Sequence, residues 1–462
     1  MLNRSRSLSR GPRPALTAPA ATAANQLLAA RLESLNIGAL WRTLFRQSPA
    51  VWAILLYIFF EYVRPQSVWR TLDIMPYPQI CLLSSTLLVL LEGRLSFRGT
   101  TPLWIWVALF SVVIALSGVF AVYPSWSWDF KDVWINWLLL MLIVGAGIRT
   151  RTEFFLLLVS FVLWNIKMSQ FGARAWVANG FSANAVGVSG GPGWFQNSGE
   201  FGIQMCIFLP LVSYFAFGLW PRLSRNRRLF AAGVVFSALI SIVVGSSRGA
   251  FLGMLVVAAW AVALSPYRVR ATVIALPLAV LTWLVLPQRT KERLSESGQD
   301  RDSMARLTYW KDGLQIAKEY PVLGIGYNNW LPYYRARYNP EGELPHNFLI
   351  ETVTQTGYVG LAVFGGMMIA YFRQNARTRR LTRAEGKAPD RVLWAIAYGL
   401  DGAMVGFMAS GFFVSVLWYP YIWMNFALSM ALCRVAYEAV GQRHRAQPHR
   451  AQAMAAFGAA TS

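Results

Sequence analysis

The chain has little charge. Only 14% of its 462 residues are Asp, Glu, Lys or Arg, against roughly 25% in an ordinary soluble domain. A soluble chain of this length would divide into two or three domains with polar surfaces between them, and the residues to cover such surfaces are missing. Cysteine is scarce: Cys81, Cys206 and Cys433 lie far apart, each in an apolar stretch. That is neither a disulfide framework nor a zinc pattern. Of the three histidines, His444 and His449 sit in a polar C-terminal stretch and His346 stands alone, so no multi-histidine metal centre is expected. No cofactor is expected either. There is no Walker pattern, and Gly324-Ile325-Gly326 lacks the third glycine and the βαβ setting of a nucleotide fingerprint.

What is abundant is apolar: 55% of the chain is hydrophobic and 14% aromatic. A membrane span needs about 20 mostly apolar residues. Such runs fall at 48–63, 76–92, 101–122, 130–148, 153–172, 199–220, 228–246, 248–265, 269–287, 346–372, 392–411 and 414–437. The expected fold is therefore an all-α polytopic membrane protein of about twelve transmembrane helices. Its parts are a basic N-terminal extension (1–47), spans one to nine (48–287), a large capping segment (288–345), spans ten to twelve (346–437) and a tail (438–462). Within the extension, residues 26–45 suit an amphipathic interfacial helix. No apolar run follows the N-terminus early enough for a cleavable signal peptide.

The net charge of +22 suits a nucleic acid or an anionic membrane surface, and its distribution decides between them. With the N-terminus placed in the cytoplasm, 28 of the 43 Lys and Arg fall on inner segments, 6 near the short outer connections and 9 in 288–345. That is the positive-inside pattern. It places both termini in the cytoplasm of a plasma membrane and turns 173–198 and 288–345 outward. Nucleic-acid binding loses its support, because no basic module with interleaved aromatics remains. Trp104, Trp126, Trp128, Trp418 and Tyr419 at span ends read as an interfacial belt.

Segment 288–345 differs in kind. Its 9 basic residues are nearly balanced by 8 acidic ones, and from Asp302-Ser303 onward it reads as a capped amphipathic helix ending at Pro321. Met304, Leu307, Leu314 and Ala317 are expected to share one face of it, near Trp310. A long loop with its own structure is usually functional.

Few residues carry chemistry. His346 opens the span after this segment. Its plain reading is a boundary histidine at a helix start; its functional reading is a general base, since imidazole titrates near neutrality. Arg248, in Gly245-Ser246-Ser247-Arg248-Gly249, is either a snorkelling arginine or an anion ligand beside helix-start N–H groups. Arg174 has the same two readings. All three map to the outer side, and two guanidinium forks suit a diphosphate. Glu200, Glu351 and Asp401 are possible supporting acids. Glu200 follows the flexible run Gly187–Gly199, Glu351 is a candidate to orient the imidazole, and Asp401 lies within span eleven.

Taken with the twelve spans, the motifs Ser247-Arg248-Gly249, Tyr320-Pro321-x-x-Gly324-x-Gly326, His346-Asn347 and Gly357-x-x-Gly360 resemble the O-antigen ligase/polymerase superfamily. The resemblance covers roughly residues 50 to 435 and is most specific over 309–360. It implies inverting, metal-independent glycosyl transfer at the periplasmic face of a bacterial inner membrane. The donor is a glycan on undecaprenyl diphosphate and, for a ligase, the acceptor is lipid A–core, as in lipopolysaccharide biosynthesis. The family's essential arginines and histidine would fall on Arg174, Arg248 and His346; the first rests on position and the other two on local motifs. Asp401 matches by its span alone. A polymerase or a protein-glycosylating transferase would share this donor chemistry. A lipid or glycan transporter would want a polar path through spans whose inner half is nearly free of charge.

Overall fold

The computed structural model describes residues 27–178, 180, 190, 193–264, 268–285, 288–295, 300–383 and 390–460. No strand occurs among them. The helices are α1 (Ile37–Leu44), α2 (Pro49–Tyr62), α3 (Tyr77–Leu91), α4 (Thr101–Val119), α5 (Lys131–Met141), α6 (Arg151–Ala178), α7 (Ser198–Leu219) and α8 (Arg225–Val244). They continue as α9 (Arg248–Leu264), α10 (Arg268–Val285), α11 (Gln288–Ser295), α12 (Arg301–Glu319), α13 (Trp330–Arg337), α14 (Phe348–Thr382), α15 (Arg391–Gly411) and α16 (Pro420–Ala460). Each of the twelve apolar runs is mostly helical in its described residues. Six helices are long and apolar enough to cross a membrane on their own: α4, α6, α7 with the turn after it, α8, α14 and α15. A seventh is gained if α1 and α2, bent by 117°, are counted as one broken span, while α3 and α9 are apolar but shorter. The protein is an all-α polytopic membrane protein.

The extension is helical where described. Residues 27–33 and α1 are separate helices rather than one, because Asn36 caps α1 by accepting the Ala39 N–H at 3.0 Å. Leu27, Ile37, Trp41 and Phe45 are exposed, as on an interfacial helix. Residues 1–26 lie outside the described part. The last helix runs through most of the stretch expected as a tail.

Apolar burial does not drive helices together in lipid, so close packing of small residues must. The α7–α15 pair shows this. A Cβ at Gly399 would stand 3.1 Å from the Leu211 Cα, one at Gly402 2.8 Å from the Pro210 Cβ, and one at Gly406 2.6 Å from the Cys206 carbonyl. Buried amides add cross-helix bonds: Gln204 donates to Asn165 at 2.6 Å and Asn375 to Asp401 at 2.8 Å.

Charged connections gather at one end of the bundle and the cap lies at another. At one end Arg94 pairs with Glu153 at 2.6 Å and Arg151 with Asp390 at 2.8 Å, and Arg222 and Arg151 both reach Glu33. At the other end lies the cap. There α14 breaks, because Gly357 sits at φ 69, ψ −175, a conformation open essentially to glycine alone. The segment after α12 lies against this break. Ile325 N–H donates to the Thr354 carbonyl at 2.8 Å and Tyr358 N–H to the Pro321 carbonyl at 2.8 Å. A second small core of Ile316, Ile325, Trp330, Tyr333, Tyr334 and Ile350 closes over it.

The face expected for α12 divides: Met304, Leu307 and Leu314 are exposed, whereas Ala317 is buried with Gly313 and Ile316. The buried stripe includes Gly313, which lets α12 approach Ile350 of α14 closely.

Gly357→Ala should destabilise the protein by about 1–3 kcal/mol, because a side chain there would also meet the Val322 carbonyl. Gly365→Ala, which meets nothing, should leave thermal unfolding in detergent unchanged.

Candidate active site

Sequence places His346 just before α14, and four hydrogen bonds fix this turn there. Asn347 caps α14, accepting from the Leu349 N–H at 2.8 Å and the Ile350 N–H at 3.2 Å. His346 takes φ 50, unusual for a residue with a side chain. Its N–H donates to Ser415 Oγ at 2.9 Å, and the carbonyl before it accepts the Trp310 indole N–H at 2.9 Å. The imidazole is half-buried, with Nε2 3.5 Å from a Glu343 carboxylate oxygen.

Arg248 starts α9. The turn before it lies against the start of α7, since a Cβ at Gly245 would stand 3.8 Å from the Ser198 carbonyl. Its guanidinium grips Asp300 as a fork, at 2.6 and 3.1 Å. Asp300 in turn caps α12, accepting from the Ser303 N–H at 3.1 Å and the Ser303 hydroxyl at 2.6 Å. The Arg248 guanidinium holds the Asp300 carboxyl well below the usual carboxylate range, with Ser303 adding to the effect.

Arg306, one turn further along α12, joins the two halves. It lies within electrostatic reach of Arg248, Asp300, Asp302 and Glu343, and of His346. Burial and the neighbouring Arg248 push its guanidinium below its ordinary range. Burial first, and then Arg306, push the His346 imidazole down, while Glu343 and Asp302 oppose this. The shift favours the neutral imidazole, whose lone pair can take a proton.

The other predicted residues separate. Arg174 is exposed near the end of α6. That helix end approaches Arg248's neighbourhood through Gly172, which packs on Ser241 near the end of α8. Glu200 completes a capping box with Asn197 and accepts the Tyr419 hydroxyl at 2.8 Å. Residues 187–189, 191 and 192 of the run before it lie outside the described residues. Glu351 is buried and accepts the Leu417 N–H at 3.3 Å. It thus braces the loop that carries Ser415, while Glu343 stands beside the imidazole. Asp401 accepts from Asn375 at 2.8 Å and pairs with Arg379, in the last turns of α14 and far from His346.

Asp300, Arg306, Glu343 and Ser415 were not singled out from sequence. Helical spacing held a signal for one of them: Asp302, Arg306 and Trp310 recur every four residues on one face of α12. Among the described residues no three of His, Cys, Asp and Glu come together as a metal site.

Residues 232–365 match the family model described as O-Antigen ligase. This match supports the O-antigen ligase/polymerase superfamily, whose members are glycosyltransferase-like enzymes. The matched stretch contains Arg248, Asp300, Arg306, Glu343, His346 and Gly357. No curated protein matches the chain.

The cap and the ion pair can be separated by substitution. Asn caps a helix about as well as Asp, whereas Ala loses about 1 kcal/mol. Asp300→Ala should therefore speed tryptic cleavage at Arg301 and Arg306 by about fivefold relative to Asp300→Asn, read by mass spectrometry of the fragments.

Proposed function

We propose that this protein is an O-antigen ligase. It transfers a glycan from undecaprenyl diphosphate to lipid A–core, with inversion, at the periplasmic face of the inner membrane. The observation that carries this reading is the joining of Arg248 and His346 through Arg306 beneath one ordered cap, within the stretch that matches the family model.

A sugar diphosphate is already activated. As its glycosidic bond breaks, the leaving diphosphate gains negative charge, which fixed cations stabilise without reorganising. Arg248 supplies a guanidinium fork at a helix start, and Arg174 supplies a second from the neighbouring helix end. His346, neutral before reaction, takes the proton from the acceptor hydroxyl as that oxygen attacks the anomeric carbon. A single in-line displacement inverts that carbon. Glu351 and Ser415 act through the loop that positions His346. Glu200 and Tyr419 stiffen the approach to α7, and Asp401 has a packing role.

The test is transfer by purified protein given lipid-linked glycan, with and without lipid A–core. A product that requires lipid A–core supports the ligase, whereas a ladder of longer glycans made without it means a polymerase. His346→Ala should abolish transfer, and Arg248→Ala should raise the KM for the lipid-linked donor.

The pH profile tests the base directly. A general base must be unprotonated, so lowering its pKa extends activity to lower pH. The acid limb of kcat/KM should lie below about 6.5, the ordinary imidazole value. Arg306→Gln should move that limb up by removing a positive neighbour. Glu343→Gln should move it down by removing a negative one. A limb that ignores both substitutions would sink the assignment.

A further inference from the structure

A second built pocket lies at the capped end, outside the Arg248–His346 cluster. It encloses about 210 Å³ among α2, α3 and α5, and its lining includes Glu61, Arg64, Gln79, Asn136, Trp137 and Trp194. That is the room of about seven waters, enough for one pyranose ring. Pro76 in its wall is exposed, so the pocket reaches the surface.

Its polar groups are costly to keep as they stand. Glu61 is only 7% exposed, and both its described contacts are on one oxygen: the Trp194 indole N–H at 2.6 Å and Arg64 at 3.8 Å. A carboxylate offers about four acceptor positions. Asn136 Oδ1 and Arg64 Nε are buried and make no hydrogen bond among the described residues. Each unsatisfied buried polar atom costs about 1–3 kcal/mol. Arg64 also sits at φ 47 directly before Pro65, where a left-handed conformation is disfavoured and strain of about 1–3 kcal/mol is stored. The result is a guanidinium 5.8 Å above the Trp194 ring.

These atoms select a ligand by chemistry. A phosphate would face the buried Glu61 carboxylate and be repelled. A lipid chain would leave Glu61 and Asn136 stranded. A neutral polyol fits both demands, because its hydroxyls donate to Glu61 and Asn136 and accept from Arg64, and its C–H face packs on an indole. We propose that this pocket binds one neutral pyranose ring of a glycan.

The pocket is tied to the first site by a short segment. Ser415 accepts the His346 N–H, and the Trp418 carbonyl accepts the Trp137 indole N–H at 2.8 Å. Three residues span at most about 11 Å, so a ring held here belongs to the same glycan that reaches His346. That last step rests on the proposed function; the binding of a pyranose does not.

Saturation-transfer NMR on the full chain, in a detergent without a sugar head group, tests it. The probes are methyl β-D-glucopyranoside and N-acetylglucosamine at millimolar concentration. Saturation transfer to either probe is expected, reduced at least about fivefold in both Glu61→Gln and Asn136→Leu, with unchanged thermal unfolding of each variant. No transfer to either probe, equal transfer in both variants, or displacement by inorganic phosphate would overturn the proposal. In the glycan-transfer assay, Glu61→Gln should raise KM with kcat nearly unchanged. A rise for the lipid-linked donor assigns the ring to the donor, and a rise for lipid A–core assigns it to the acceptor. If the wild-type protein transfers nothing yet binds the pyranoside, the ligase reading fails and the pocket stands.

Discussion

The break at Gly357 is the constraint on which the capped end depends. A helix that crosses lipid satisfies its own backbone, and a break within it strands N–H and C=O groups where no water can pair them. Here the chain pairs them with itself. The Pro321 carbonyl takes the Tyr358 N–H, the Ile325 N–H goes to Thr354, and the Ser117 hydroxyl donates to the Gln355 carbonyl at 2.5 Å. The segment that follows α12 is thus held by the backbone demand of α14. The glycines at 324 and 357, both at positive φ, let the two backbones approach. The most specific motif of the family resemblance is therefore a clasp, and its glycines act one step removed from the chemistry.

The same helix organises the loop opposite. Glu351 holds the Leu417 N–H, Gln355 accepts the Trp418 indole N–H at 3.0 Å and the Asn328 N–H at 2.8 Å, and Ser415 takes the His346 N–H. Residues one turn apart on α14 thus bind both the cap and the loop between α15 and α16. Phe412 and Phe413 of that loop meet Trp310 of α12 at ring distances of 5.2 and 6.2 Å. His346 is fixed through its backbone on both sides, which is how a left-handed residue persists at a helix start.

Much of this was legible in the sequence. Twelve apolar runs marked twelve helical stretches, because the demand for continuous apolar surface leaves a strong local trace. The places of Arg248 and His346 at helix starts were legible too, since a charged or titratable residue between apolar runs is rare. The partners were not. Asp300 and Glu343 belong to a mixed-charge segment in which any of eight carboxylates was equivalent until the chain was folded. Which face of α12 turns inward was not legible for a related reason. Met304, Leu307 and Leu314 are the more hydrophobic set, but Gly313 permits the closer approach, and packing in such a site rewards fit over hydrophobicity. Glu351 looked like the imidazole's partner by nearness in sequence, and helix geometry turns it toward Leu417 instead.

Charge balance ties the clasp to the proposed chemistry. Arg248, Arg306 and Asp300 are partly buried, Asp302 and Glu343 are exposed beside them, and an unpaired ion in the buried part would be disfavoured. That balance lets the site rest without a ligand. Burial first, and then Arg306, outweigh the carboxylates at the imidazole and favour its neutral form. Under the ligase reading, a donor diphosphate that takes the Nη1–Nη2 edge of Arg248 displaces Asp300 from it, since one guanidinium edge holds one bidentate anion. Asp300 need not then be left bare. The Ser303 N–H and hydroxyl still bind it at the start of α12, where the helix dipole favours a negative charge. The exchange replaces one anion on Arg248 with another and keeps the cap folded, so donor binding and cap integrity are coupled through a single carboxylate.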